Sequence, residues 1–380
     1  MPNVGALIFV GGGGDSEVEQ MVSRGQQASA LDTIERLLAT GLCDLIVVST
    51  DSLAFARELC HYPVQLELTL GEFHFGRQLR SLIEKYRIQR PFYLGGGSAP
   101  LLSQADLERI LAQLLSLDAG VIANNYYSSD FLAFHPADAL DLVALPAIDN
   151  DLAFLLVNRA GLPNRPLPWS AATQMDIDTP ADLAVLALHP RVGSHLREYV
   201  RSLELGLDRL EAAMKWLVDR NAEVLVAGRI GSQTWSYLEK EAACRKRVFS
   251  EERGMRASGR EARGEVVSLL GLYLEAVGPR SFFQSLASLG QAAILDTRVI
   301  FRHLKLDPPP ADRFHADLLQ PEAISDPSLR EFTRAAQEAP IPLVLGGHSI
   351  VAGGLVTLVE AAWARFDPEG RGHVRPQQAL

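Results

Sequence analysis

Over its first 190 residues the chain alternates short apolar runs that stop at glycine with stretches of helical spacing. Few architectures accept that pattern. Residues 4–10 (VGALIFV) form a continuous apolar run that ends at Gly11, Gly12, Gly13 and Gly14. Leu31, Ile34, Leu37 and Leu38 recur at helical spacing and Gly41 closes the segment. Further apolar runs at 45–48, 92–94 and 120–123 alternate with helical stretches at 79–86 and 107–117, and the 92–94 run stops at Gly95, Gly96 and Gly97. Continuous apolar runs mark strands buried on both faces. Strands separated by helices imply an α/β fold, a mainly parallel sheet with helices on both faces. Ligands of such sheets gather at the carboxyl ends of the strands, where both glycine clusters fall.

The chain has 380 residues, which suits two domains better than one. With 46 acidic against 36 basic residues the net charge is −10, which argues against a nucleic-acid partner. No apolar run approaches the roughly 20 residues a membrane span needs, and the first apolar run lacks a basic leader. It therefore reads as a strand and not as a signal peptide. Cys43, Cys60 and Cys244 are far apart and lack metal-ligand spacing, which fits a reducing compartment. The expectation is a cytoplasmic protein without a membrane partner.

The pattern changes after Pro190. Leu196, Val200, Leu203, Leu207, Leu210, Met214 and Leu217 alternate spacings of four and three, which predicts one long amphipathic helix. Its apolar stripe suits packing on the second domain, and a homodimer seam is the alternative. Beyond it, 224–227, 292–295 and 341–345 are strand candidates of a second, smaller α/β domain. The expected division is 1–190, 191–370 and a polar tail at 371–380.

Glycines 11–14 lie where backbone N–H groups can approach a phosphate or base. No Gly-Lys-Ser/Thr follows, so the loop is not a P-loop. Residues 176–183 read Asp-Ile-Asp-Thr-Pro-Ala-Asp-Leu, and Asp178 or Thr179 followed by Pro180 also makes a good helix start. Asn150 and Asp151, and Asn124 and Asn125 with Asp130, suit ribose or sugar hydroxyls, or simply turns. In the second domain three strand ends carry polar groups with glycine: Arg229 beside Gly228, Asp296 and Arg298, and Gly347 with His348. They predict a phosphate-bearing ligand on that sheet edge, with His348 as a candidate general acid or base. The stretch from Cys244 to Glu265 interleaves seven cations with four glutamates. It reads as a solvated helix face, or from 252 to 260 as a loop presenting Arg253 and Arg256 to an anion.

The segment 176–183, the glycine-ended first strand and Gly97-Ser98-Ala99-Pro100-Leu101-Leu102 together resemble nucleotidyltransferases of the GT-A-like fold. These include the molybdenum-cofactor nucleotidyltransferase and 2-phospholactate guanylyltransferase types. The resemblance covers about residues 1–190. It implies transfer of a nucleotidyl group from an NTP to a small phosphorylated or acidic acceptor, with Mg²⁺ held by Asp176 and Asp178 and Asp178 serving the catalysis. Ser98 stands where that family carries a metal-binding aspartate, and Asp15-Ser16-Glu17 stands where it carries cations. Two alternatives follow: a degenerate nucleotide-binding or assembly module whose activity lies in the second domain, and a sugar-nucleotide-dependent glycosyltransferase.

Overall fold

The computed structural model describes residues 4–69 and 71–367. The expected tail at 371–380 lies outside the described residues. The chain forms two compact units, and the division is not a single cut. Residues up to 15, 23–176 and 193–199 belong to the first; 16–22, 177–192 and the chain from 200 onward belong to the second.

The first unit holds seven strands: β1 (Val4–Val10), β2 (Leu45–Thr50), β3 (Gln65–Leu68), β4 (Arg90–Gly95), β5 (Gly120–Ala123), β6 (Phe131–His135) and β7 (Asn164–Pro166). Their order is β3-β2-β1-β4-β6-β5-β7. Only β6 runs against its neighbours β4 and β5. Every residue of β1 is buried, because helices cover both faces and a central strand has no wet side. One face packs Leu7, Val47, Leu79, Tyr93, Phe134 and Leu152 into a common core. The chain leaves β1 for β2 and β3 on one side and reaches β4 on the other. The direction of winding therefore reverses between β1 and β4.

The second unit has four parallel strands: β8 (Glu223–Gly228), β9 (Arg245–Ser250), β10 (Ala292–Asp296) and β11 (Leu343–Gly346). Their order is β11-β10-β8-β9, so winding reverses between β8 and β10. Leu225, Phe282, Phe283, Leu295, Phe301 and Phe332 form its main apolar cluster. Among the described residues no helix is long and apolar enough to cross a membrane.

Two expectations are corrected. The long helix after 190 is two helices, Ser194–Arg201 and Asp208–Leu217. Gly206 takes a positive φ of 60° between them, which ends the run despite the continuous apolar spacing. The basic stretch from 245 is the edge strand β9 and not a helix face. Its three consecutive cations, Arg245, Lys246 and Arg247, suit an exposed edge. After β9 the chain turns through 253–264, where Arg260 grips Glu252, and Glu261 holds both Arg256 and Arg302.

Candidate functional site

The two loops at the winding reversal of the first sheet are the glycine run after β1 and residues 95–98 after β4. The amide of Gly96 donates to the carbonyl of Phe9 at 2.8 Å, so the loops are tied together. Gly12 fits only as glycine: a Cβ there would lie 2.4 Å from the Cβ of Ser52. Its N–H donates to the Asp51 carboxylate at 2.5 Å. An internal carboxylate thus already accepts from one amide of the loop. The space beside Gly11 and Gly13 is open. The acidic residues beyond the loop serve the following helix, Glu17–Thr40. The Ser16 hydroxyl accepts from the Glu19 amide at 3.3 Å and donates to the Glu19 carboxylate at 2.7 Å. These contacts cap the helix end.

Ser98 is buried and donates its hydroxyl to the carbonyl of Gly95 at 2.8 Å. Its main chain forms an isolated antiparallel bridge with Asp176, and the next amide, of Ala99, donates to Met175 at 3.0 Å. The fold therefore joins the Ser98 position to Asp176, two positions far apart in sequence. Beside them the Tyr93 hydroxyl donates to the Asp149 carboxylate at 2.8 Å. Burial, and then the negative charges of Asp149, Asp176 and Asp130, push the Tyr93 phenol well above its ordinary range. Asp130 accepts from the Asn124 side chain at 2.8 Å. Sequence reasoning missed Tyr93 and Asp149. The run Asp149-Asn150-Asp151 is the signal that could have found the second, whereas Tyr93 is hidden in a strand. Asn150 donates its side-chain amide to Ser128 at 2.7 Å. Asp151 is exposed at the start of the helix Leu152–Asn158, without a side-chain cap bond.

A separate trio lies in the same unit. Asp32, Glu35 and His195 place ligand-type atoms within 4.8 Å of one another. The Asp32 oxygens each accept a backbone N–H, from His195 and Leu196, at 3.0 Å. Asp32 therefore serves as the cap of the helix Ser194–Arg201. Glu35 meets the His195 ring at 2.8 Å.

In the second unit Thr179, and not Asp178, caps the helix Pro180–Ala187. Asp182 accepts from the Thr179 hydroxyl at 2.9 Å and from the Thr179 and Asp178 amides at 2.8 and 3.0 Å. The Asp178 side chain is exposed. Burial, with the nearby Asp178 charge, pushes the Asp182 carboxyl up to about 7.

The predicted ligand residues of this unit divide into two groups. Arg229 clasps Asp296 with bonds of 2.6 and 3.1 Å. Burial pushes the Asp296 carboxyl up, but Arg229, with His348 and Arg298, outweighs it and holds the carboxyl below its ordinary value. Arg298 is consumed by Asp317 through bonds of 2.8 and 2.5 Å, and Gly347 lies against it. Arg256 is committed to Glu261 at 3.0 Å. Arg253 has no hydrogen-bond or ion-pair partner among the described residues, and its residue is exposed. His348 keeps an exposed surface, yet packing around its ring and then the Arg229 charge lower it to about 4.

The first unit is a mainly parallel α/β sheet with two polar loops at its winding reversal, the class that binds small ligands at strand ends. No family model and no curated protein matches this chain. Some solved structures are similar to about half of it. One is a cytidylyltransferase from Leptospira borgpetersenii serovar Hardjo-bovis, at 15% identity over 53% of this chain and 95% of that one, TM-score 0.38. Another is CMP:2-keto-3-deoxy-manno-octonic acid synthetase complexed with CTP, at 16% identity over 48% and 95%, TM-score 0.34. A third is 4-diphosphocytidyl-2C-methyl-D-erythritol synthase from Anaerococcus prevotii, at 14% identity over 47% and 94%, TM-score 0.34. At such identities and scores, the chemistry of this chain has to be read from its own residues.

Proposed function

We propose that the first unit binds a nucleoside triphosphate with Mg²⁺ at the reversal between β1 and β4 and transfers its nucleotidyl group to a small phosphorylated or acidic acceptor. The observation that carries this reading is the bridge between Ser98 and Asp176. It joins the two motifs of the resemblance to nucleotidyltransferases of the molybdenum-cofactor and 2-phospholactate types, beside the glycine loop. The donor chemistry suits Mg²⁺, which prefers carboxylate oxygens and is commonly held by one or two of them together with substrate phosphates. Asp176 would hold it, and the ion would neutralise phosphate charge. That neutralisation matters here, because the Asp51 carboxylate on Gly12 and the three acids around Tyr93 repel a bare triphosphate. The open sides of Gly11 and Gly13 leave room for the nucleotide against the backbone. In the reaction the acceptor oxygen bonds to the α-phosphorus while the α–β bridging bond breaks and pyrophosphate leaves.

Ser98 in place of a carboxylate favours a second reading, a unit that binds the nucleotide without transfer. Both readings are tested by thermal shift with each NTP, with and without Mg²⁺, followed by assay of pyrophosphate release over a panel of acidic acceptors. A Mg²⁺-dependent stabilisation by one NTP, with release of pyrophosphate, supports transfer. Stabilisation without release supports the second reading, and no stabilisation by any nucleotide rejects both.

A further inference from the structure

The helix Leu269–Ala287 of the second unit is not continuous. Gly278 takes a positive φ of 76° within it, and Pro279 follows with no N–H to donate. The two arms therefore meet at a corner. Between that corner, the end of the helix Thr297–His303 and the start of the helix Pro327–Gln337 lies a cleft of about 150 Å³. Leu274, Leu304, Leu306, Leu329 and Phe332 line it, and its polar side chains are those of Glu275, Ser328 and Glu331. Among the described residues no lysine or arginine lines it. An apolar cavity of this volume stays dry and takes a molecule of about the size of benzene.

One end of the cleft carries an unmatched donor. The His303 side chain is only 8% exposed. Its Nδ1 accepts the Ser268 N–H at 3.2 Å, so the ring carries its proton on Nε2. That Nε2 is buried and has no hydrogen-bond partner. The Glu275 carboxylate, which lines the cleft, stands 3.4 Å from it but out of hydrogen-bond alignment. The ring is also fixed in place, because Gly271 packs directly on it and a Cβ at 271 would overlap the imidazole. A buried donor without an acceptor is costly, and an occupant of the cleft can supply the acceptor.

Charge and hydrogen bonding separate the head groups that an apolar occupant could bring. A carboxylate or phosphate would meet Glu275 and Glu331 with no cation in the lining to offset them. An ammonium would suit those carboxylates but leave the His303 donor unmatched. A hydroxyl satisfies both sides: its oxygen accepts from Nε2–H and its proton goes to Glu275. We propose that the second unit binds a compact apolar molecule with one hydroxyl, a phenol or a small cyclic alcohol. Its body packs on Leu274, Leu329 and Phe332, and its hydroxyl lies between His303 and Glu275. This site does not depend on the nucleotide reading of the first unit.

The test uses the full chain at neutral pH with phenol, benzene and benzoate as probes, followed by calorimetry and by the imidazole resonances of His303. Phenol is expected to bind saturably and to shift those resonances, benzene to bind about tenfold more weakly, and benzoate not to bind. His303→Asn keeps an oxygen for the Ser268 amide and lacks the Nε2 donor. It should bring phenol down to the affinity of benzene and leave benzene unchanged, a split that a merely structural role would not produce. Leu304→Phe, which fills the cleft, should abolish binding of both. Melting temperatures check that the variants fold, and the ranking of the probes on the parent needs neither variant. Absence of saturable phenol binding, equal affinities for phenol and benzene, benzoate bound as tightly as phenol, or phenol affinity unchanged in either variant would each overturn the proposal.

Discussion

Ser98 and Asp176 face each other across an isolated antiparallel bridge. Cross-strand partners carry their Cβ atoms about 4.5–5.5 Å apart, so a carboxylate at 98 would stand beside that of Asp176. Ser98→Asp is expected to strengthen Mg²⁺-dependent NTP binding by about tenfold, or about 1.4 kcal/mol. Because Ser98 is buried, the variant should also melt at lower temperature without Mg²⁺ and recover with it. Calorimetry at fixed Mg²⁺ and thermal melts check both. Weaker or unchanged binding would remove Asp176 from the metal site.

Adjacent glycines of the first loop separate packing from chain flexibility. A Cβ at Gly12 overlaps Ser52, and the side chain of Asp51 lies at 3.2 Å. Gly12→Ala must displace the loop, with an expected stability loss of about 1–3 kcal/mol and loss of nucleotide binding. Gly13 has open space, so Gly13→Ala should stay within about 0.5 kcal/mol of the parent. Chemical denaturation measures the pair. Equal losses in the two variants would mean that flexibility, and not the close approach to Ser52, accounts for the glycines.

The legible parts of this sequence were those that local physics determines. Strands β1, β2, β4, β5, β8 and β10 announced themselves as unbroken apolar runs, since strands buried on both faces can hold little else. β6 is equally apolar but lies only a few residues beyond β5, behind a polar loop, so its run does not stand out as a strand of its own. β9 does not read as a strand because an edge strand carries charge, and its Arg245, Lys246 and Arg247 imitate a solvated helix face. The two-helix break at Gly206 was hidden by an apolar spacing that continues through it. The charged residues show the same limit. Sequence identified Arg229, Asp296, Arg298 and Arg253 as chemistry-bearing, but only the fold tells which are spent on internal partners. Asp317, which takes Arg298, carries no signal in the sequence that would have named it.

The clasp between Arg229 and Asp296 predicts a stability effect at the winding reversal of the second sheet. The Asp296 carboxylate is fully buried and Arg229 nearly so. Removing one member of a buried pair leaves the other uncompensated, at about 3–5 kcal/mol. Asp296→Ala should therefore destabilise strongly in urea. Arg229→Met with Asp296→Leu should recover much of the loss, since an apolar pair does not strand a charge. A single variant near the parent's stability would show that the pair is hydrated in solution.

Asp182 predicts a pH dependence. Its ordinary value of 3.8 rises to about 7 in the fold, first because it is buried and second because Asp178 lies nearby. The folded chain thus holds a proton that the unfolded chain has already released. Its contribution to stability is full below about pH 4 and is lost as pH rises towards 7, by about 1.4 kcal/mol for each pH unit in that window. Asp182→Asn keeps an oxygen to accept from the Thr179 hydroxyl and the Thr179 and Asp178 amides, and has no proton to lose. Denaturant midpoints measured from pH 4 to pH 8 should fall in the parent relative to this variant. In Asp178→Asn the neighbouring charge that raises the Asp182 carboxyl is gone, so its folded value falls, the window shortens from its upper end and the loss completes at lower pH. The observable is the upper end of the window, and Asp178→Asn should bring it down from about 7. Parallel midpoint curves for the parent and Asp182→Asn would show that Asp182 ionises as an ordinary exposed carboxylate does.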